Sequence, residues 1–338
     1  MINTNVEASE TNYTRIKFEE YDHERLDEIF DAVNPYSEME HNAKYFLNGM
    51  VRYLKPAKIL EVGIASGGGS AIILNAIRDI ENSQLISVDY YEKYYGFDEK
   101  LSGWLVDKNF SHLKNKWTVY RGGDISRFIE NIGGDIDLLV LDTAHIHPWE
   151  TLNFLCILPF LKRGAWVILH DVSLPYLSGR EDELACRYLF ANVVSDIKIM
   201  PAPEDNYIPH FANIGAFHVI DDTAKYARNL FEALLFPWAA YPGMFIDRIF
   251  PCNVIITNED IDGIRKIITK YYKDYAEFFD HAVEFQAGIA RHKAERYRSF
   301  SGTWERNFPL SYRLINALSS NFHSMKKGIR KKLKKLFA

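Results

Sequence analysis

The chain has 338 residues, 47% of them hydrophobic and 25% charged, and its 40 Lys and Arg against 45 Asp and Glu give a formal net charge of −5. These fractions are ordinary for a soluble globular protein and leave room for one large domain with extensions or for two domains. No apolar run approaches the ~18 residues of a transmembrane helix, Met1 to Glu10 are too polar for a secretory signal, and Cys156, Cys186 and Cys252 are too few and too widely spaced for a disulfide or zinc framework. A cytoplasmic protein with buried free thiols is expected.

Residues 1–37 read as a polar N-terminal arm with a short helix over 24–33, ended by Asn34-Pro35. A helical period runs from Glu38 to Leu54 through Met39, Ala43, Phe46, Leu47 and Met50, and stops at Pro56. Strand and helix signals then alternate. Strands are predicted near 58–62, 84–89, 117–121, 136–141 and 165–170, and helices near 69–80, 98–114, 124–132 and 148–160. This alternation predicts an α/β fold, a doubly wound and mostly parallel sheet covered by helices. Two later apolar runs, 196–200 and 214–220, would complete the sheet. Beyond Asp221 the pattern is helical over 222–236 and 259–297, split by the aromatic stretch Phe236–Phe245, which predicts a helical appendage.

The most informative segment is Leu60-Glu61-Val62-Gly63-Ile64-Ala65-Ser66-Gly67-Gly68-Gly69-Ser70, with Asp89 closing the next strand. Glycines at 63, 67 and 69 suit a tight turn that passes close to a ligand. Ser70 is read as a cap on the helix that follows. A dinucleotide fingerprint would read G-x-G-x-x-G with pyrophosphate on the helix N-terminus. Here a carboxylate stands on the strand itself, which repels pyrophosphate and suits an ammonium or sulfonium group.

Further carboxylates and histidines fall at the carboxyl ends of the central strands, where a doubly wound sheet binds ligands. Asp142, His145 and His147 follow the 136–141 strand, and His170-Asp171 end the 165–170 strand. His145 is the expected general base, because imidazole titrates near neutral pH; a loop histidine bonded to Asp142 is the plainer alternative. His147 is expected to pack beside Pro148 and Trp149. His170 and Asp171 alternate along a strand, so Asp171 is expected to face the site and His170 to turn away. Asp124 follows the third strand, as a ligand contact, a helix cap or both.

The Glu61-x-Gly63-x-x-x-Gly67 pattern with Asp89 resembles motif I of the class I S-adenosylmethionine-dependent methyltransferases. The set D-x-x-H, L-K-x-G-A and H-D over residues 142–171 resembles a bacterial family related to catechol and macrolide-sugar O-methyltransferases. The resemblance covers roughly 38–221 and implies a Rossmann-like, seven-stranded sheet ending in an antiparallel hairpin. It implies S-adenosylmethionine as cofactor, held by Glu61, Gly63, Gly67, Gly69, Ser70, Asp89 and Asp124. It further implies catalysis by His145, Asp142 and Asp171 on a small-molecule, sugar or glycan hydroxyl. Asp142 and Asp171 match magnesium ligands of the catechol enzymes, while their third ligand, an asparagine, is Val172 here, which leaves Mg2+ open.

Seven basic residues, Lys326 to Lys335, crowd the C-terminus, and removing them leaves 33 basic against 45 acidic side chains. Ile329, Leu333, Leu336 and Phe337 share one face of this tail, predicting a basic amphipathic helix for an anionic membrane surface and a peripheral location on the inner face of the cell membrane. The acidic body argues against nucleic acid. The expected organisation is an N-terminal arm (1–37), a methyltransferase domain (38–221), a helical appendage (222–300) and a basic tail (301–338). Two other readings use the same residues: a nonhaem metal enzyme built on the His/Asp cluster, and a noncatalytic membrane-docking partner with a methyltransferase fold.

Overall fold

The computed structural model describes residues 23, 25–96, 99–178, 183–201, 212–244 and 254–307. Cys252 and the basic tail beyond 307 lie outside the described residues. One seven-stranded sheet organises the chain, in the order β3-β2-β1-β4-β5-β7-β6. Its strands are β1 (Lys58–Val62), β2 (Gln84–Asp89), β3 (Trp117–Arg121), β4 (Ile136–Leu141), β5 (Leu161–His170), β6 (Lys198–Ile199) and β7 (Ile214–His218). The first five are parallel and β7 runs antiparallel between β5 and β6. The expected doubly wound, mostly parallel Rossmann-like sheet and its closing antiparallel hairpin are therefore present. β5 begins four residues earlier than the sequence suggests, because Leu161 pairs with Ile136 before a register shift.

Side chains alternate between two cores. Ile59, Leu138, Val140, Ile168 and Ile214 face α1 (Leu26–Val33), α2 (His41–Leu54), α3 (Gly68–Ala76) and α4 (Trp104–Asn109). Leu60, Val62, Leu139, Leu141 and Val167 face α5 (Ile129–Ile132), α6 (Trp149–Ile157) and, past the short α7 (Leu174–Ser178), α8 (Ala185–Asn192). α9 (Asp221–Lys225), α10 (Arg228–Ala233), α11 (Asn258–Tyr271) and α12 (Ala276–Asn307) follow the sheet. Leu230, Phe231, Ile264, Ile268 and Phe279 from this helical extension share the second core. Burial of that many apolar side chains binds the extension to the sheet.

Several boundaries differ from the periodicity. The predicted 98–114 helix is only α4 and a 3-10 turn at Ser111–Lys116, because Gly103 enters α4 in the left-handed region and Phe110 breaks it. α11 starts where Thr257 and Asp260 close a reciprocal capping box. α8 lies in a stretch that carries no motif. No helix among the described residues is long and apolar enough to cross a membrane.

Candidate active site

β1 ends at Val62 and Gly63 turns the chain at φ +96°. A Cβ there would stand 1.8 Å from the Asp142 carbonyl oxygen, so glycine alone lets this loop pass the end of β4. Gly67, at φ +97°, precedes α3; its missing Cβ would meet Gly103 Cα at 2.9 Å. Asp89 at the end of β2 accepts backbone N–H bonds from Ile64 (2.9 Å), Ala65 (3.0 Å) and Tyr91 (2.8 Å). Its carboxylate thus ties the glycine loop to the neighbouring strand, and burial raises its pKa against the pull of those donors.

Ser70 corrects a sequence expectation. α3 begins at Gly68 with Gly67 as its cap residue, so Ser70 already lies inside the first turn. There its hydroxyl donates to Glu61 Oε2 at 2.6 Å, and Ser87 donates to the same oxygen at 2.5 Å. Glu61 is buried at 3% exposure, and burial pushes its pKa up to about 7 despite the two hydroxyls, with the charges of Asp142 and Asp89 adding to the rise. Asp124 caps the 3-10 turn Ile125–Arg127 by accepting from Ser126 N at 3.0 Å, and burial raises it to about 6.

Two cavities open along the carboxyl edge of the sheet. The first, about 160 Å3, is walled by Tyr90, Tyr91, Ile125 and Trp149, with Asp89 and Asp124 at its polar points. The second, about 540 Å3, runs past Glu61, Gly69, His145, His170 and Asp171. Gly63, Ala65, Tyr95, Asp142 and Thr143 line both, so the two are ends of one cleft. Among the residues read from the sequence, Gly67 and Ser70 line neither cavity and support the loop from behind.

At the wider end Asp142, His145 and Asp171 do converge. His145 Nε2 lies 2.9 Å from Asp171 Oδ2 and 3.7 Å from Asp142 Oδ1. The expectation that His170 turns away is wrong. β5 ends at His170, and Asp171 takes the left-handed region at φ +59°, which breaks strand alternation and brings both side chains to the cluster. His170 Nδ1 lies 3.2 Å from both Asp142 Oδ1 and Asp171 Oδ2. Burial alone would lower the His145 pKa, but the charges of Asp171, Asp142 and Glu150 outweigh it and push it up to about 9. His170 is raised well above the ordinary value in the same way, chiefly by Asp142 and Asp171 against its burial. Asp171 answers with a pKa well below the ordinary carboxylate range, the two imidazoles overcoming its burial.

Three supporting residues escape a sequence reading. Glu40, just before α2, lies 3.2 Å through Oε2 from His170 Nε2. Asn213 Nδ2 donates to Glu40 Oε1 (2.9 Å) and Asp171 Oδ1 (2.6 Å), while its oxygen accepts from Ser173 N (3.0 Å). Glu150, fully buried on α6, accepts from Thr143 Oγ1 (2.8 Å) and His145 N (2.6 Å). Only Glu150 left a local trace, an acid inside an otherwise apolar helix. His147, as expected, is buried, edge-on to Tyr188 and Phe236 rings, and burial drives its pKa down to about 3.

The cluster has the donor set of a divalent ion. Asp142 Oδ1, His145 Nε2, Asp171 Oδ2 and His170 Nδ1 form a ring whose sides measure 3.7, 2.9, 3.2 and 3.2 Å. Ligands about 2.1 Å from one ion stand roughly 3.0–3.4 Å apart. The other nitrogen of His170 rests on Glu40 Oε2 at 3.2 Å, the backing that metal-bound imidazoles require, while that of His145 meets Cys186 Sγ at 3.6 Å with Glu150 Oε1 farther off at 3.8 Å. With His145 kept free as a base, the nitrogen of His170 beside the carboxylates of Asp142 and Asp171 suits a transition ion better than the all-oxygen preference of magnesium. Val172, where the catechol enzymes place an asparagine, is fully buried and offers no donor, while His170 Nδ1 stands 3.2 Å from both Asp142 and Asp171.

Residues 60–172 match the model of a family described as a methyltransferase domain. This segment is a methyltransferase domain. It contains the glycine loop, Asp89, Asp142, His145 and Asp171, whereas Glu40, Asn213 and the C-terminal helices lie outside it. No curated protein matches the chain. Among solved structures, the O-methyltransferase TomG from Streptomyces achromogenes, in complex with SAM, is 18% identical; the match covers 58% of this chain and 90% of that one, with a TM-score of 0.43. An O-methyltransferase from Bacillus cereus, in complex with SAH, is 15% identical over 57% of this chain and 90% of its own, with a TM-score of 0.40. A SAM-dependent O-methyltransferase from Thermotoga maritima is 16% identical over 58% and 71%, with a TM-score of 0.39.

Proposed function

We propose that this methyltransferase domain moves a methyl group from S-adenosylmethionine to a hydroxyl of a small molecule or of a sugar or glycan. The observation that carries the reading is the single cleft with two unlike ends. The aromatic end, with Asp89 and Asp124, suits a nucleoside: Asp89 for ribose hydroxyls and Asp124 for the adenine amino group. The acidic middle, with Glu61 and Asp142, suits the ammonium and sulfonium groups. The wider end then receives the acceptor beside His145.

In the transfer the acceptor oxygen attacks the methyl carbon, the carbon–sulfur bond breaks, and its electron pair stays on sulfur as a neutral thioether. The hydroxyl proton passes to His145 Nε2. Asp171 and Asp142 steady the imidazolium that results, and Glu150 holds the His145 backbone through its N–H. The same carboxylates favour a proton on His145 before reaction, so their neutralisation frees the base. A divalent ion would be held by Asp142, His170 and Asp171, and would supply a lowered hydroxyl pKa. No Lys or Arg lines either cavity among the described residues, while Glu38, Glu40, Glu61, Asp142 and Asp171 all line the wider one. That charge favours neutral or cationic acceptors over phosphorylated ones.

The test is transfer of labelled methyl from S-adenosylmethionine to a panel of neutral, amino and phosphorylated sugars. His145→Ala is expected to lower turnover at least 100-fold (on the order of general-base catalysis) while cofactor affinity holds; equal turnover would remove His145 as the base. We further propose that the basic tail, 301–338, docks the enzyme on anionic membranes. Its support is the amphipathic pattern opposite an acidic body, and loss of sedimentation with phosphatidylserine vesicles on tail deletion is the expected result.

A further inference from the structure

Two aromatic walls of the narrow cavity are anchored by groups far along the chain. Tyr90 follows Asp89, and its hydroxyl donates to Asp260 Oδ2 on α11 at 3.0 Å. Trp149 packs edge-on to Tyr90 with ring centres 5.5 Å apart, and its indole N–H donates to the Val254 carbonyl at 3.0 Å. Val254 itself lines the cavity. Each aromatic thus has its polar tip fixed by the stretch that enters α11.

Asp260 is built for that position. It is fully buried, and Oδ2 also accepts from Thr257 N (2.9 Å) and Thr257 Oγ1 (2.6 Å). Oδ1 has no hydrogen bond among the described residues and lies 3.7 Å from Arg127 Nη2. Arg127 in turn lies 3.1 Å from Glu259. α11 reaches the Asp124 turn closely because residue 263 is glycine; a Cβ there would stand 2.3 Å from Ser126 Oγ, the hydroxyl that donates to Asp124. A buried carboxylate that served only to cap a helix would not need a tyrosine from the opposite wall of a cavity.

We propose that the entry to α11 within the helical appendage, residues 254–260, is a working wall of the cofactor pocket, with Asp260 a positioning residue that sets the Tyr90 ring against the adenosine. The inference rests on the S-adenosylmethionine reading above. It makes cofactor affinity depend on a segment outside the matched methyltransferase domain.

Calorimetric titration with S-adenosylhomocysteine tests it on the full-length wild type, Tyr90→Phe, Asp260→Asn and the double variant, beside their thermal midpoints. Each single variant is expected to raise Kd about ten-fold, the value of one charge-assisted hydrogen bond. The double variant is expected to lose no more than the larger single, because both remove one interaction. Should Asp260→Asn fail to fold, Tyr90→Phe leaves the Thr257–Asp260 cap intact and carries the test. Unchanged Kd with lowered midpoints would reduce the contact to packing and overturn the inference alone. A wild type that does not bind S-adenosylhomocysteine would overturn the cofactor reading and the inference together.

Discussion

Replacing Glu61 with glutamine is expected to make the apoprotein more stable at alkaline pH and to weaken cofactor binding. Glu61 sits on the central strand β1, buried beneath α3, with a pKa raised from 4.5 to about 7. Its folded value lies above its unfolded one, so its contribution is fully present below pH 4.5 and is lost as pH rises through 7. That interval amounts to about 3 kcal/mol, a sizeable part of a typical ~5–15 kcal/mol stability. Glutamine keeps an oxygen for the Ser70 and Ser87 hydroxyls (2.6 and 2.5 Å) and carries no charge to bury. Urea unfolding of wild type and Glu61→Gln at pH 5 and pH 8 measures the difference. The advantage of the variant should grow by about 2 kcal/mol between the two. An advantage that stays constant with pH would refute the reasoning. A carboxylate retained at such a cost is expected where binding needs its charge.

Four further outcomes follow from the geometry. His147 is held near pKa 3, below its unfolded value, so stability falls as pH drops from 6.5 toward 3; by pH 5 the loss is about 2 kcal/mol, and His147→Phe should lack it in denaturant titrations at pH 7 and 5. Asn213→Ala strips donors from Glu40 and Asp171 and should lower turnover about ten-fold or more without comparable loss of cofactor affinity; unchanged turnover would contradict the clamp. Turnover should climb with pH toward about 9, where His145 loses its proton, in a pH–rate profile that flattens in His145→Ala. Chelation should reduce turnover, with Mn2+ restoring it better than Mg2+ in metal-titrated assays; indifference to chelator would remove the ion.

Much of this site could be read from local pattern. β1 with its glycine turn, Asp89 at the end of β2 and Asp142 after β4 are legible because buried parallel strands are short apolar runs and their carboxyl ends collect polar residues. The rest depends on contacts that no local period records. Glu40 meets His170 across 130 positions, and Asn213 meets Asp171 across 42. The left-handed turn at Asp171 defeats a strict two-residue alternation and hides His170 from a strand reading. Ser70 reads as a cap in sequence because α3 starts earlier than its apolar period, at glycines that carry no side-chain signal. The appendage reads as separate in sequence, yet its Asp260 reaches Tyr90 over 170 positions.

In the proposed reaction S-adenosylmethionine lies in the cleft between Asp124 and Asp171. Calorimetric titration of wild type and Asp89→Ala with S-adenosylmethionine tests it most directly. Wild type is expected to bind one-to-one and the variant sharply more weakly, because it loses both the ribose acceptor and the tie to Ile64 and Ala65. Absence of binding by the wild type, or equal binding by the two, would contradict it.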